Sequence, residues 1–245
     1  MRAMLKAVLF DLDGTLLDLD GDAFLEDYID KLADFLHPWV NKDDFRAALW
    51  SAAVGALASE HPGRTNQEVL TESLSETLAI DAGTLRRRIE KFNATQAPQV
   101  LPGGHPRPGA RRAVQAARAM GLKIAVATTP IYGLPVVMER LARAGVADIP
   151  WDVIATDRFS STKPYPAYYL ELSALLGVDP VECLMVGDDA FNDLAAGAVG
   201  MATYYVGPPM GGLNVGAGGP LEDVIGIYQQ QTRAGLKQKV EGISE

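Results

Sequence analysis

The sequence of 245 residues is poor in cysteine and histidine, with one of the first and three of the second. A single cysteine excludes an intrachain disulfide. Cys183 begins the apolar run 183–186, which indicates a small core residue rather than a redox group. The three histidines, His37, His61 and His105, show no metal-ligand spacing, so we assign them no catalytic role.

Long apolar runs and an excess of positive charge are also missing. No apolar stretch approaches the ~20 residues that a membrane span requires. The first strand runs directly into candidate catalytic residues, which leaves no room for a secretory segment, so we expect a cytoplasmic protein without a membrane partner. The formal net charge of −9 disfavours nucleic acid as a partner, because phosphate backbones require a basic footprint.

The most informative segment is Asp11-Leu12-Asp13-Gly14-Thr15, which follows the apolar run 7–10. The run predicts a buried strand that ends at a turn. Two carboxylates so close together at the end of a buried strand repel each other, and burying either without compensation costs several kcal/mol. A bound cation relieves this cost, and hard oxygen ligands favour Mg²⁺.

Three further segments follow in a fixed order. Thr128 ends the apolar run 122–127, and Lys163 precedes Pro164. The third segment, Gly187-Asp188-Asp189 with Asp193 four residues on, follows the apolar run 183–186. Each has an ordinary structural explanation by itself, such as a helix cap, a strand end or a surface lysine. Their order and combination carry the argument.

Together the four segments resemble the motifs of the haloacid dehalogenase (HAD) superfamily, and the resemblance covers roughly residues 1–20 and 105–206. It implies that Asp11 is a nucleophile forming an aspartyl-phosphate. It implies that Asp13 is the general acid and base, which also binds the metal through its backbone carbonyl. An acid at position 13 argues against a dehalogenase, because a halide leaves without a proton.

The same resemblance assigns the remaining positions. Lys163 neutralises Asp11 and the phosphoryl oxygens, and Thr128 donates its hydroxyl to the phosphoryl group. Asp11, Asp13 and Asp188 are the expected metal ligands, with Asp189 and Asp193 acting through water or indirectly; Asp189 has a cap of the next helix as its alternative. The expected substrate-binding residues are Gly14, Thr15, Thr128, Thr129 and Lys163. Thr129-Pro130 departs from the family, which often has Asn after the threonine, and Pro130 has no N–H to donate.

The second half of the chain alternates helical and strand patterns. The predicted helices lie near 108–120, 133–144, 165–176 and 190–199, and the predicted strands near 5–10, 122–127, 151–155, 182–187 and 201–206. Glycines just past the helix ends support these limits. The alternation predicts an α/β fold, a Rossmann-like doubly wound parallel sheet with every motif at the carboxyl ends of its strands.

Residues between the first two motifs have only helical patterns. Predicted helices cover 24–36, 42–58, 65–78 and 82–94, the third opening with the capping-box sequence Thr65-Asn66-Gln67-Glu68. We therefore predict a helical cap with hinge linkers at 19–105 and an α/β core at 1–18 plus 106–245. The Pro- and Gly-rich segment 97–109 is the predicted return linker between them. A Gly-rich loop at 207–220 and a final helix at 221–231 complete the prediction.

The sequence predicts a Mg²⁺-dependent phosphatase acting on a small phosphorylated metabolite, and it resembles phosphoglycolate phosphatases. A phosphomutase with the same residues, or a catalytically silent binding or regulatory relative, stays open. The sequence does not specify the substrate, the cap residues that contact it, the role of loop 207–220 or the oligomeric state.

Overall fold

The computed structural model describes residues 4–57, 60–100, 103–208 and 217–230. The elements, in chain order, are β1 (Ala7–Phe10), β2 (Leu17–Asp18), α1 (Gly21–Leu36), α2 (Lys42–Leu57), α3 (Asn66–Leu78), α4 (Ala82–Thr95), α5 (Ala97–Val100), β3 (His105–Pro106), α6 (Ala110–Ala119), β4 (Lys123–Val126), α7 (Leu134–Arg143), β5 (Val153–Ile154), α8 (Pro166–Leu176), β6 (Cys183–Gly187), β7 (Ala202–Tyr205) and β8 (Ala217–Gly218). Short 3₁₀-helices cover Pro180–Glu182, Leu194–Val199 and Leu221–Asp223, and residues 224–230 are helical. Within these ranges, no helix has the length and apolar character needed to cross a bilayer.

A six-stranded parallel sheet in the order β5-β4-β1-β6-β7-β8 forms the centre of the fold. The first strand, β1, pairs with β4 on one side and β6 on the other. This arrangement brings the segments that follow β1, β4 and β6 to one edge of the sheet. The predicted parallel sheet and the position of its motif-bearing loops are confirmed.

Alternate residues of the strands face opposite layers of the protein. Val8 and Phe10 of β1 belong to a core shared with α6, α7 and the inserted helices. Ala7 and Leu9 belong to a second core, built largely by the buried face of α8. Helices therefore cover both faces of the sheet, as a doubly wound fold requires.

Several local predictions are wrong. The predicted helix at 190–199 is a turn followed by the 3₁₀-helix Leu194–Val199, because the Asp189 carboxylate accepts hydrogen bonds from the amides of Phe191 and Asn192 and so competes with helical pairing. The strand expected at 151–155 covers only Val153–Ile154. Just before it, the Asp152 side chain accepts a hydrogen bond from the backbone amide of Ile124 and so competes with strand pairing. The Lys163–Pro164 peptide is cis, and α8 begins shortly after it, at Pro166.

The segments at the two ends of the helical insertion also differ from the prediction. The return linker predicted at 97–109 contains the short helix α5, and β3 pairs antiparallel with β2. This two-stranded ribbon lies where the chain leaves and re-enters the α/β part. Loop 207–220 contributes β8, whereas residues 209–216 of that loop and residue 231 of the final helix lie outside the described residues. The division into a core and a cap at 18/19 and 105/106 stays a prediction.

The N-terminus of α3 joins the helical insertion to the core. Thr65 forms the predicted capping box with Glu68. The Asn66 side-chain amide donates to the carbonyls of Pro130 and Ser161, both at 3.1 Å. The Gln67 side-chain amide donates to Asp157 Oδ2 at 3.2 Å. The insertion is thus attached to the core by polar contacts in addition to apolar packing.

Asp157, at this junction, has a raised pKa. Burial raises the pKa of its carboxyl from 3.8 to about 6, with Arg158 opposing the shift and Glu90 adding to it. Because the folded-state pKa is raised, the neutral acid favours the folded protein. This contribution to the free energy of unfolding is fully present below about pH 4 and is lost as the pH rises through about 6.

Asp157→Asn tests this reading. The amide retains an oxygen that can accept from Gln67 but removes the ionisation, so the variant should lose less stability than the wild type between pH 4 and pH 8. The difference should reach at most about 3 kcal/mol, since each pKa unit corresponds to about 1.4 kcal/mol. Urea unfolding at both pH values measures it, with Asp27→Asn on the exposed face of α1 as control. Identical pH slopes for wild type and Asp157→Asn would contradict the prediction.

Candidate active site

The four sequence motifs meet in one cleft of about 600 Å³ at the carboxyl ends of β1, β4 and β6. This volume is typical of a small-molecule site. Leu19 to Asp22, at the start of the helical insertion, and Leu25 of α1 form the side of the cleft that faces the core motifs. The residues lining the cleft are Asp11, Asp13, Gly14, Leu19, Asp20, Gly21, Asp22, Leu25, Thr128, Thr129, Ile131, Tyr132, Lys163, Asp188, Asp189, Asn192 and Asp193.

A buried ion-pair triad lies at the base of the cleft. Lys163 Nζ donates to Asp11 Oδ1 at 2.7 Å and to Asp193 Oδ1 at 2.6 Å. Burial works against the charged amine, but the two carboxylates outweigh it and raise the pKa of Lys163 well above its usual value. Lys163 is therefore a permanent positive charge in contact with the Asp11 carboxylate.

A divalent cation would find oxygen ligands beside this triad. Carboxylate oxygens of Asp11, Asp188 and Asp193 lie within 4.8 Å of one another. Burial, followed by repulsion from Asp11, raises the pKa of Asp188 from 3.8 to about 6. Like charges held this close are stabilised by a cation, and an all-oxygen set fits Mg²⁺. Asp13, assigned to the metal through its backbone, is not in this side-chain cluster.

Two glycines allow these carboxylates to approach the backbone. Gly14 has φ +81°, and a Cβ built on it would lie 2.1 Å from Asp188 Oδ2. A Cβ on Gly187 would lie 2.0 Å from Asp193 Oδ2. Gly14 lines the cleft, and both glycines shape the site by having no side chain.

Thr15 and Asp189 hold neighbouring parts of the site in place. Thr15, expected from the sequence to bind substrate, is fully buried outside the cleft lining, and its hydroxyl donates to Asp188 Oδ1 at 2.9 Å. The Asp189 side chain caps the turn at Phe191 and Asn192, in accord with its capping alternative. Its backbone amide donates to Asp193 Oδ2 at 3.0 Å. These contacts orient two of the three clustered carboxylates.

Thr128 and Thr129 follow β4 and both line the cleft. The Thr128 side chain is buried, and its backbone carbonyl accepts a hydrogen bond from the Tyr168 hydroxyl at 2.7 Å. Pro130, which cannot donate an N–H, instead offers its carbonyl to Asn66 of the helical insertion. The departure from the family sequence thus lies next to the junction with the insertion.

One residue of the site was missed from the sequence. Arg140 of α7 is buried, and its Nη1 donates to Asp13 Oδ2. Burial raises the pKa of the Asp13 carboxyl, and Arg140 opposes this shift without cancelling it. The signal was available, because Arg140 shares the helical spacing of the buried Val136, Val137 and Leu141, where a charged residue is unexpected.

The charge of the cleft is strongly one-sided. Seven aspartates line it, namely Asp11, Asp13, Asp20, Asp22, Asp188, Asp189 and Asp193. Among the described residues that line it, Lys163 is the single cationic side chain. A phosphate group could not approach such a surface without a further positive charge, which again fits a metal ion between ligand and carboxylates.

Comparisons with known proteins agree with the fold and with the family resemblance. A family model for haloacid dehalogenase-like hydrolases matches residues 5–200. The phosphoglycolate phosphatase of Rhodospirillum rubrum is 33% identical over 201 residues, covering 81% of this chain and 78% of that protein. The putative phosphatase YhcW of Bacillus subtilis is 30% identical over 206 residues, covering 83% of this chain and 84% of that protein.

The fold is also found among solved structures. The crystal structure of a HAD phosphatase from Thermococcus onnurineus superposes with a TM-score of 0.53 at 24% identity, covering 91% of this chain and 97% of that one. At this identity the likeness shows the fold alone. The family match and the two relatives go further: the chain belongs to the haloacid dehalogenase-like hydrolase family, as a phosphoric monoester hydrolase.

Proposed function

We propose that this protein is a Mg²⁺-dependent phosphohydrolase that removes phosphate from a small phosphorylated metabolite in the cytoplasm, through an aspartyl-phosphate on Asp11. The observation that carries the proposal is the contact of Asp11 with Lys163 beside the clustered carboxylates of Asp188 and Asp193. A nucleophile, a fixed positive charge and an oxygen-rich cation site are the parts that phosphoryl transfer requires.

In the first step, an Asp11 oxygen attacks phosphorus while the bond from phosphorus to the ester oxygen breaks. Asp13, the pKa of whose carboxyl is raised by burial, acts as the general acid and gives a proton to the leaving oxygen. Lys163 stays charged and stabilises the phosphoryl oxygens as negative charge builds on them. Thr128 and Thr129, at the end of β4, would orient the group.

In the second step, water attacks the phosphorus of the aspartyl-phosphate. Asp13, now a carboxylate, takes the water proton, and the bond between Asp11 and phosphorus breaks. Inorganic phosphate leaves, and both aspartates return to their starting states. Asp11, Asp188 and the Asp13 carbonyl would hold Mg²⁺, and Asp193 would act through a water molecule or by orienting Lys163. The bound ion would supply positive charge that neutralises the phosphoryl group.

Asp11→Asn should abolish catalysis. The amide is not a competent nucleophile, so Mg²⁺-dependent phosphate release from p-nitrophenyl phosphate should fall by about 10⁴-fold or more. Phosphate release is measured with and without Mg²⁺, beside the exposed control Asp44→Asn on α2. Circular dichroism checks that the variant folds. An Asp11→Asn protein with wild-type turnover would exclude the aspartyl-phosphate route.

Two alternatives share the same residues. A phosphomutase would retain the phosphoryl group against water, and product analysis would then find an isomerised sugar phosphate instead of free phosphate. A silent binding or regulatory relative would bind Mg²⁺ yet hydrolyse no phosphoester in a broad panel. The phosphatase names of both relatives favour hydrolysis.

The lining of the cleft also bears on the organic part of the substrate. On the side formed by the helical insertion, the residues are Leu19, Asp20, Gly21, Asp22 and Leu25. None of these described residues offers a positive charge to a second anionic group. We therefore propose a neutral organic part, such as a polyol or sugar, in preference to the carboxylate of phosphoglycolate, the substrate in the name of the Rhodospirillum rubrum relative.

Leu25→Arg tests this preference. Wild-type kcat/KM should be higher for glycerol phosphate than for phosphoglycolate. An arginine at position 25 should shift the ratio toward phosphoglycolate by about tenfold, since a partly screened charge pair contributes on the order of 1–2 kcal/mol. Leu25→Met is the matched control. A wild-type preference for phosphoglycolate, or an unchanged ratio in Leu25→Arg, would contradict the proposal.

A further inference from the structure

Arg140 lies in a place where arginine needs an explanation. Its side chain is 1% exposed, and its neighbours on the inner face of α7 are apolar. Burying a guanidinium costs several kcal/mol unless charge and hydrogen bonds compensate. Arginine is rarely buried without a partner, so its contacts indicate what it is for.

The contacts of Arg140 converge on one carboxylate. Nη1 donates to Asp13 Oδ2, while Nε and Nη2 have no hydrogen-bond partner within the described part of the chain. The guanidinium carbon lies 4.5 Å from the ring centroid of Tyr132 and 5.1 Å from that of Phe24. Two aromatic faces thus hold the guanidinium, and among the described residues its one charged partner is Asp13.

Stability is a poor explanation for this pair. A buried ion pair with unsatisfied donors gains little over apolar residues of similar volume, and replacing both partners is often neutral or stabilising. A guanidinium that binds a carboxylate for strength alone usually does so with two parallel hydrogen bonds. The single contact fixes one oxygen of Asp13 and leaves the rest of the guanidinium packed on rings.

Asp13 needs such a fixed point. It precedes Gly14, whose φ of +81° places Asp13 at a tight turn. In the described part of the chain, Asp13 Oδ1 makes no hydrogen bond. A proton-transferring group must lie within hydrogen-bond reach of the reacting oxygen, and a displacement of about 1 Å can cost about 10²-fold.

We propose that Arg140 is a positioning residue that acts through Asp13, holding one carboxylate oxygen so that the group is placed for proton transfer. Phe24 belongs to α1 of the helical insertion, and Tyr132 belongs to the core loop after β4. The guanidinium is therefore held from both sides of the cleft, and the position of Asp13 depends on how the insertion packs on the core. The inference rests on the proposed function, in which Asp13 is the acid and base.

Pre-steady-state kinetics with p-nitrophenyl phosphate separate the two chemical steps. p-Nitrophenolate is a weak base that leaves without a proton, so the first step does not need Asp13. Hydrolysis of the aspartyl-phosphate does need it. Arg140→Met should therefore release one equivalent of p-nitrophenolate at nearly the wild-type rate and then turn over about 10²-fold more slowly.

Three matched variants set the limits of this result. Arg140→Lys, which keeps a charge but not the planar fork, should recover part of the turnover. Arg143→Met, one turn further along α7 and paired with Glu139, should behave as wild type. In an Asp13→Asn background, Arg140→Met should add less than about a twofold loss, because residues acting through one another are not additive.

The outcomes are distinguishable. If the wild type releases no p-nitrophenolate in an Asp11-dependent way, the proposed function fails and this inference with it. If the wild type turns over but Arg140→Met keeps full turnover, loses the burst, or adds its full loss to that of Asp13→Asn, the positioning role alone is overturned. Should Arg140→Met not fold, Phe24→Leu, which removes one aromatic face, should show the same retained burst with a turnover loss of about three- to tenfold.

Discussion

The repulsion among buried and half-buried carboxylates at one edge of the sheet is the constraint on which the rest of this structure depends. Asp11, Asp188 and Asp193 converge there with their oxygens within 4.8 Å, and Lys163 compensates two of them. The parallel strands bring these residues together, and two glycines and the Thr15 hydroxyl hold the carboxylates in place. The fold thus maintains a concentration of negative charge that would be unfavourable without compensating positive charge.

The sequence was sufficient for the features that depend on local signals. Apolar runs predicted the central strands, and Gly121, Gly145 and Gly177, all with positive φ, lie just past the ends of α6, α7 and α8. The segments around 190–199 and 151–155 failed because the side chains of Asp189 and Asp152 take over backbone hydrogen bonds. Such competition depends on three-dimensional placement, which periodicity does not record.

Contacts between distant parts of the chain were the least predictable. Thr15 looked like a ligand-binding residue of the first motif, yet it supports Asp188, 173 positions away. Arg140 is 127 positions from Asp13, and no motif connects the two. The junction of Asn66 and Gln67 with loops at 130 and 157–161 is equally remote in sequence. The motifs identify the chemical groups, whereas the residues that hold them in place are scattered through the chain.

Gly14 and Gly187 carry a consequence for how this chain can vary. Neither has a functional group, yet a single added methyl would overlap an aspartate oxygen at 2.1 Å and 2.0 Å, respectively. The smallest amino-acid replacement available is therefore as damaging there as the loss of a reactive side chain. Mutational tolerance along the chain should drop to its lowest values at these two glycines as well as at the aspartates, so a saturation-mutagenesis map would outline the active site partly through residues that perform no chemistry.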